Sequence, residues 1–411
     1  KMIAKFDRIS LKKQGFKMTL KEIDEKYVLH TYKRNYVNIT HGSGSKLFDD
    51  KGNDYIDFAS GIAVSSVGHA NPRLVKVISE QAAKILHISN LFLIEPQAKL
   101  AKRVVELSKI DAVCFFCNSG AEANEAAIKM ARKFGSDEDG SVKKHKVITL
   151  DQSFHGRTIT TLKATAQDKF HNYFGPYTDS FIYASSIAEI PSLVDDETAA
   201  VLIEFVQGEG GVHEFDVKEI QNLAKILKEK GVLLIADEIQ TGVYRTGEFL
   251  ASQRFEIEPD ITTLAKGLGG GVPIGCVITK LKDIFNPGDH GTTFGGNYLA
   301  TSAALEVLDI LEEERTSGKL WDGIKYFCDK LCALQAANPT IFLKATGLGY
   351  LRGLKTPNDE TMAKIIEAAF ESGVILLKAG RSTVRFAPPL VITKEEIDLG
   401  FERLTKAIAN I

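Results

Sequence analysis

Between about residues 112 and 280, short apolar runs alternate with segments of helical periodicity, and this alternation constrains the fold more than any other feature of the 411-residue chain. The runs fall at 112–117, 146–150, 200–206, 231–236, 261–265 and 274–279, and clear helices are predicted over 120–134 and 217–229. Continuous apolar runs suit strands covered on both faces, so the expected core is a largely parallel sheet with helices on each side. Further helices are predicted from Pro72 to about Leu86 and from Pro96 to about Leu107. Upstream, Leu47-Phe-Asp-Asp50 and Tyr55-Ile-Asp-Phe58 read as two strands joined by a turn at Lys51-Gly52-Asn53. Glu312-Glu-Glu-Arg315 ends a long helical stretch, and the character then changes. Helices over 319–336 and 359–371, strands over 350–354, 373–377 and 383–387, and a closing helix describe a small α+β unit. The implied division is an N-terminal segment (1–62) packing with the small domain, a large domain (63–312) and a C-terminal domain (313–411).

With 44% hydrophobic and 25% charged residues, the chain reads as soluble and globular. A formal net charge of -2 leaves no basic excess for phosphate neutralisation, so neither nucleic acid nor membrane is an expected partner. No apolar run approaches the roughly 18 residues of a membrane span, and no signal-peptide pattern opens the chain, so a cytoplasmic location is the default. Residues 1–17 are basic, and Lys1 before Met2 reads as a cloning remnant. Five cysteines are an odd number, which argues against a disulfide framework. Cys114 and Cys117 have metal-ligand spacing, but on a strand an odd separation points them to opposite faces. Cys328 and Cys332 sit at i, i+4 on an amphipathic helix, where buried cysteine is ordinary. No metal site is expected.

Several strands end in residues suited to chemistry. Asp260-Ile-Thr-Thr-Leu-Ala-Lys266 delivers a lysine at the end of an apolar run, and glycines follow through Gly271. A desolvated amine there is a candidate Schiff-base former, and the glycines admit close approach of a ligand. Asn118-Ser-Gly-Ala-Glu-Ala-Asn124 joins a strand to a helix, and Ser119 with Glu122 fits a capping box. The free N–H groups at that helix start make a phosphate site. Asp151-Gln-Ser-Phe-His-Gly-Arg157 offers Phe154 for stacking and Arg157 for a carboxylate; His155 is read as holding the loop rather than transferring protons. Glu204 and Glu209 lie on a strand end and a glycine-rich turn. Asp237 closes the run Gly231–Ala236. A nucleotide-hydrolase aspartate would need a Gly-x4-Gly-Lys-Ser/Thr loop, which is absent, as is Gly-x-Gly-x-x-Gly. A carboxylate beneath a pyridine nitrogen is the other reading.

In this order the motifs resemble the class III, pyridoxal-phosphate-dependent aminotransferases of fold type I. The matching segments are Asn118–Ala123, Phe154-His-Gly-Arg157, Glu204–Gly211, Asp237-Glu-Ile-Gln240, Lys266 and His290-Gly-Thr-Thr-Phe-Gly-Gly296, and the resemblance runs from about Tyr32 to the C terminus. It implies an α/β fold with a mostly parallel seven-stranded sheet sandwiched by helices, plus a small α+β domain. It also implies pyridoxal 5'-phosphate as cofactor and a homodimer with shared active sites. Lys266 would hold the cofactor and shuttle the proton, and Asp237 would keep the pyridine nitrogen protonated. Gln240 would bond the ring hydroxyl, and Phe154 would stack on the ring. Ser119, Gly120 and Ala121 would bind the phosphate, with Thr293 reaching the phosphate of the neighbouring subunit.

For substrates, the resemblance gives Arg157 the carboxylate distant from the reacting carbon and Arg385 the α-carboxylate of glutamate. Glu209 would neutralise Arg385 while the other substrate is bound. Tyr32, Ile62 and Thr292 complete the implied substrate contacts. Ser60-Gly-Ile-Ala-Val64 and Thr31-Tyr-Lys-Arg34 resemble the acetylornithine aminotransferases. An aliphatic residue at Ile62, where ornithine enzymes usually carry tyrosine, leaves room for an acylated α-amine. The implied substrates are N2-acetylornithine and 2-oxoglutarate/glutamate, with succinyl-diaminopimelate accepted by many relatives. The alternatives are another ω-aminotransferase acting on ornithine, succinylornithine or 4-aminobutyrate, a non-catalytic cofactor-binding regulator, and an isomerase on the same scaffold. Two departures from the family pattern, Tyr244 in Val243-Tyr-Arg-Thr-Gly247 and the order Gly347-Leu-Gly-Tyr-Leu-Arg352, stand where a change can reshape the pocket rim.

Overall fold

A computed structural model describes residues 18–409 and 411, so the basic stretch 1–17 and the reading of Lys1 lie outside the described residues. The central sheet has seven strands in the order Val113–Cys117, Gly275–Thr279, Ile261–Leu264, Leu233–Asp237, Thr198–Ile203, Lys146–Leu150, Phe181–Ala184. Gly275–Thr279 runs antiparallel to both of its neighbours; the other pairings are parallel.

Period-two geometry sorts the strand residues between two cores. Ala200, Leu202 and Ile235 pack with Ala123, Ala127, Ile128 and Ala131 of the helix Gly120–Phe134. Their sequence neighbours Val201, Ile203 and Leu234 pack on the other face with Ile220, Leu223 and Leu227 of the helix Val217–Glu229. Every residue of the three central strands is buried, which is why their sequences read as unbroken apolar runs. Cys114 and Cys117 do fall on opposite faces: Cys114 packs at the edge of the largest core and Cys117 inside the core with the Gly120–Phe134 helix.

The long helix Tyr298–Thr316 packs against Pro72–Ala82 and Glu95–Ser108 and leads into Lys319–Ala337. A second sheet joins Ile39–Ser43, Lys46–Asp49 and Asp54–Asp57 to Val374–Ile375, the last pair parallel, so the start and end of the chain share one sheet. A third comprises Lys344–Leu348, Leu351–Lys355, Thr383–Phe386 and Leu377–Ala379. Phe58 sits among Phe327, Phe386 and Phe401 with ring centroids 5.3–6.1 Å away, which ties residue 58 into the C-terminal aromatic core. No helix among the described residues is long and apolar enough to cross a membrane.

The structure corrects several sequence boundaries. The strand expected over 200–206 ends at Ile203, and Val206–Gln207 instead pairs with His213–Glu214. The expected strand 373–377 splits between two sheets. The helix from Pro72 stops at Ala82 rather than Leu86, leaving Ile85 and Leu86 exposed. Four strands were not expected: Ile39–Ser43, Phe181–Ala184, His213–Glu214 and Lys344–Leu348. The first is almost wholly exposed and the second lies at a sheet edge, so neither carries the buried period-two signal.

Candidate active site

Ligands on open α/β sheets bind beyond the carboxyl ends of the strands, and here those ends bring the reactive residues together. Asn118 to Ala121, Phe154 to Arg157, Glu204, Glu209, Asp237, Ile239, Gln240 and Lys266 all line one cavity of about 390 Å³. That volume falls within the usual range for small-molecule sites.

Asp237 is the last residue of its strand and is buried. Its Oδ2 accepts from Asn124 Nδ2 at 2.8 Å and His155 Nδ1 at 2.7 Å, and its Oδ1 accepts from the Ile239 amide at 3.1 Å. Asn124 also donates to the His155 carbonyl at 2.7 Å and accepts from Thr263 Oγ1 at 2.8 Å. Three donors on one buried carboxylate fix its direction. His155 thus does more than shape its loop, as its ring donates directly to Asp237. Its Nε2 is buried without a partner among the described residues.

Lys266 begins a single turn of 3₁₀ helix, one residue beyond the strand Ile261–Leu264, with φ of 42°. A non-glycine residue at positive φ is strained, and such strain concentrates at functional sites. Burial pushes the Lys266 ammonium below the ordinary lysine range; the Glu209 carboxylate opposes the shift and Arg385 adds to it. The result favours a neutral, nucleophilic amine.

Arg385, on the strand Thr383–Phe386, donates through Nη1 to Glu209 Oε1 at 2.6 Å and to Gln240 Oε1 at 3.2 Å. Burial raises the Glu209 carboxyl, but Arg385 and Lys266 outweigh it and the net shift is downward. Glu204 goes the other way: burial first, then Asp237, hold its carboxyl well above the usual range. Its oxygens accept from the Phe154 amide at 3.0 Å and the Gly208 amide at 3.4 Å, joining the Phe154 loop to the turn that carries Glu209. Arg157 is exposed and has no carboxylate in ion-pair contact among the described residues. Its guanidinium lies 5.4 Å from the Phe154 ring centroid and 4.0 Å from that of Phe170.

Ser119 caps the helix Gly120–Phe134, its side chain accepting from the Glu122 amide at 3.3 Å. The expected reciprocal half of a capping box is corrected: the Glu122 carboxylate reaches past Ser119 to the Asn118 amide, 2.6 Å away. The Gly120 and Ala121 amides, in the first turn, remain free for an anion. A Cβ on Gly120 would meet the Ile239 side chain at 2.7 Å, so the backbone closes directly onto the cavity wall. An anion cradle, a buried carboxylate, an amide at Gln240, an aromatic wall at Phe154 and a desolvated lysine form the donor set that pyridoxal phosphate requires.

Five expected contacts lie outside the residues lining this cavity: Arg385, which touches it through Glu209 and Gln240, and four others. Tyr32 is 76% exposed and Ile62 is 44% exposed with φ of 69°. Thr293 is exposed, and Thr292 is engaged with Asn118 Nδ2 at 3.2 Å and the Gly295 amide at 3.1 Å. The two departures from the family pattern are also outside the lining. Tyr244 is fully buried, with its hydroxyl on the Glu312 carboxylate, and Tyr350 is buried against Phe327. Neither reshapes the rim. Sequence reasoning missed Asn124, Glu204 as a strut between loops, and Phe170. Of these, Asn124 carried a signal, as the one polar residue in an alanine-rich helical face.

A profile of the family described as "Aminotransferase class-III" matches residues 27–408. The acetylornithine aminotransferase of Wolinella succinogenes is 55% identical over 389 residues, 95% of this chain and 99% of that one. Its namesake from Caldanaerobacter subterraneus is 41% identical, covering 94% and 98% of the two chains. Among solved structures, the ornithine aminotransferase of Toxoplasma gondii, described with partial occupancy of PLP at its active site, is similar with a TM-score of 0.87 and 32% identity. That match covers 95% of this chain and 94% of that chain. The N-acetylornithine aminotransferase of Stenotrophomonas maltophilia gives a TM-score of 0.79 at 32% identity, covering 94% and 98%.

Proposed function

The chain belongs to the class III aminotransferases, which use pyridoxal phosphate, and on that premise we propose that it transfers the δ-amino group of N2-acetylornithine to 2-oxoglutarate. The products are N-acetylglutamate 5-semialdehyde and glutamate, a step of arginine biosynthesis in the cytoplasm. The observation that carries this reading is the Glu209–Arg385 ion pair at 2.6 Å, whose Glu209 lines the same cavity as Lys266. A site that accepts both an ω-amine and glutamate needs a cation available to one and silenced for the other.

Pyridoxal phosphate, when bound, supplies an electron-accepting ring that stabilises negative charge at the reacting carbon. Lys266 would hold it through its amine, and as a free amine would take up and return the proton at that carbon. Asp237, fixed by Asn124 and His155, would hold the proton on the ring nitrogen. Gly120 and Ala121 would receive the phosphate with Ser119, Phe154 would cover the ring, and Gln240 would bond its hydroxyl. Arg157 takes the carboxylate far from the reacting carbon, and Arg385 takes glutamate's α-carboxylate when Glu209 withdraws.

The reading includes a homodimer and a division into residues 1–62, 63–312 and 313–411. Leu91, Phe92 and Leu93 are 66–96% exposed, and Phe294 beside Thr293 is 59% exposed. Apolar side chains so placed suit coverage by a second copy, whose site would receive Thr293, with Thr292, Tyr32 and Ile62 at the substrate entrance. The test is glutamate formation from 2-oxoglutarate with acetylornithine, ornithine, succinylornithine and 4-aminobutyrate as competing donors. Acetylornithine should give the highest kcat/KM. Free ornithine ahead of it would move the protein to the second reading.

A further inference from the structure

We propose that Phe170 is a positioning residue for substrate carboxylates, acting as the perch that holds the Arg157 guanidinium flat and its N–H edge free. The inference deepens the reading of Arg157 given above and rests on it.

Phe170 closes the short turn Asp168–Phe170 and does not line the cavity. Its ring centroid is 4.0 Å from Arg157 Cζ, closer than the 5.4 Å from Arg157 to Phe154. The two rings meet edge to face at 85°, with centroids 6.4 Å apart. The turn is fastened to the Arg157 loop: Gln167 Nε2 donates to the Ser153 carbonyl at 2.9 Å, and the Phe170 amide donates to the Gln167 carbonyl at 3.0 Å. The perch and the arginine therefore move as one piece.

The physical case turns on what else could hold Arg157. A long side chain with many rotamers loses entropy when a carboxylate fixes it, and an exposed guanidinium starts from the widest ensemble. No carboxylate of the described residues pairs with Arg157. The face of an aromatic ring attracts the cation without occupying its N–H groups, whereas a protein carboxylate would compete with the substrate. A guanidinium lying on a ring presents its donors in plane, which suits bidentate binding. Phe170 thus prepays ordering that binding would otherwise require. Lys169 Nζ lies 4.9 Å from the same ring, a second cation on it.

The test uses holoenzyme variants Phe170→Leu, Phe170→Tyr and Arg157→Ala. One readout is kcat and KM in each half-reaction, and the other is calorimetric binding of glutarate, a dicarboxylate with no reactive group. A cation–ring contact corresponds to about two- to thirtyfold in affinity. Phe170→Leu should weaken glutarate binding and raise KM for both amino donors by that factor, with kcat retained, and Phe170→Tyr should restore both. Unchanged affinity in Phe170→Leu while Arg157→Ala loses it would overturn the role of Phe170 alone. A loss confined to kcat, or no rescue by tyrosine, would do the same. Full glutarate binding by Arg157→Ala would remove the reading of Arg157 and the inference with it.

Discussion

Arg385 meets Glu209 and Gln240 with a single nitrogen, Nη1, at 2.6 and 3.2 Å, while the two side chains of the ion pair differ in freedom: Arg385 is 3% exposed and Glu209 29%. The asymmetry decides which partner moves. Arg385 is locked in its strand and in the core beneath it, so any opening of the pair is a swing of Glu209 towards solvent.

Replacing Glu209 by Ala leaves a buried guanidinium without its carboxylate unless a substrate supplies one. Glutamate does, and an acylated ornithine reacting at its far amine does not. Breaking a buried pair is strongly unfavourable, though Glu209's exposure reduces the effect here. The half-reaction with acetylornithine should slow by roughly tenfold or more, and that with glutamate should be spared or improved. Single-turnover kinetics on the two donors decides it. Equal losses would remove Glu209 from the switch.

Because burial lowers the Lys266 ammonium and Glu209 partly restores it, the apoprotein's reaction with pyridoxal phosphate should rise with pH through an inflection below that of an ordinary lysine. The sign for Glu209→Gln follows: removing the negative charge removes support for the ammonium, and the inflection moves lower still. Reconstitution rates followed by absorbance across pH provide the check. An upward shift in the variant contradicts the assigned coupling.

Tyr244 occupies φ of 65° directly after Val243 at 53°, yet is fully buried with its hydroxyl on Glu312. Tyr244→Gly relieves backbone strain of about 1–3 kcal/mol but empties a core site whose loss costs about 3–5 kcal/mol. Net destabilisation of about 2 kcal/mol should appear in denaturant unfolding, while the ratio of activities on acetylated and free ornithine stays constant. A changed ratio would return Tyr244 to the pocket rim.

A Cβ at Gly208 would lie 1.7 Å from Gln240 Oε1. Gly208→Ala must therefore displace Gln240, which takes one of Arg385's two partners and the contact assigned to the cofactor ring. Pyridoxal phosphate affinity, measured by equilibrium dialysis, should fall by about tenfold, as expected for one lost hydrogen bond in a buried site. Wild-type affinity would show that Gln240 does not hold the ring.

What could be read from the sequence was what the strands deliver. Asp237, Lys266 and Glu204 end or follow apolar runs, so strand recognition alone places them at one edge of the sheet. Arg157 and Glu209 follow on loops too short to leave that edge. Asn124 stood out only as a polar residue on an alanine-rich face, and its role stayed hidden because it consists of bonds to residues 31, 113 and 139 positions away. Phe170 was illegible for a related reason: a ring acquires meaning only from the cation that lies on it. Glu122 shows a finer limit, since Ser-x-x-Glu was recognised but the carboxylate bonds one amide earlier than the motif implies.

The central claim, amino transfer at Lys266 with preference for an acylated donor, is tested most directly by one spectrum. The yellow holoenzyme is mixed in turn with acetylornithine, ornithine, succinylornithine and 4-aminobutyrate, without keto acid. Fastest bleaching by acetylornithine, reversed on adding 2-oxoglutarate, is the predicted result. Fastest bleaching by free ornithine would contradict the assigned donor, and a Lys266→Ala variant that still cycles between the two colours would contradict the site.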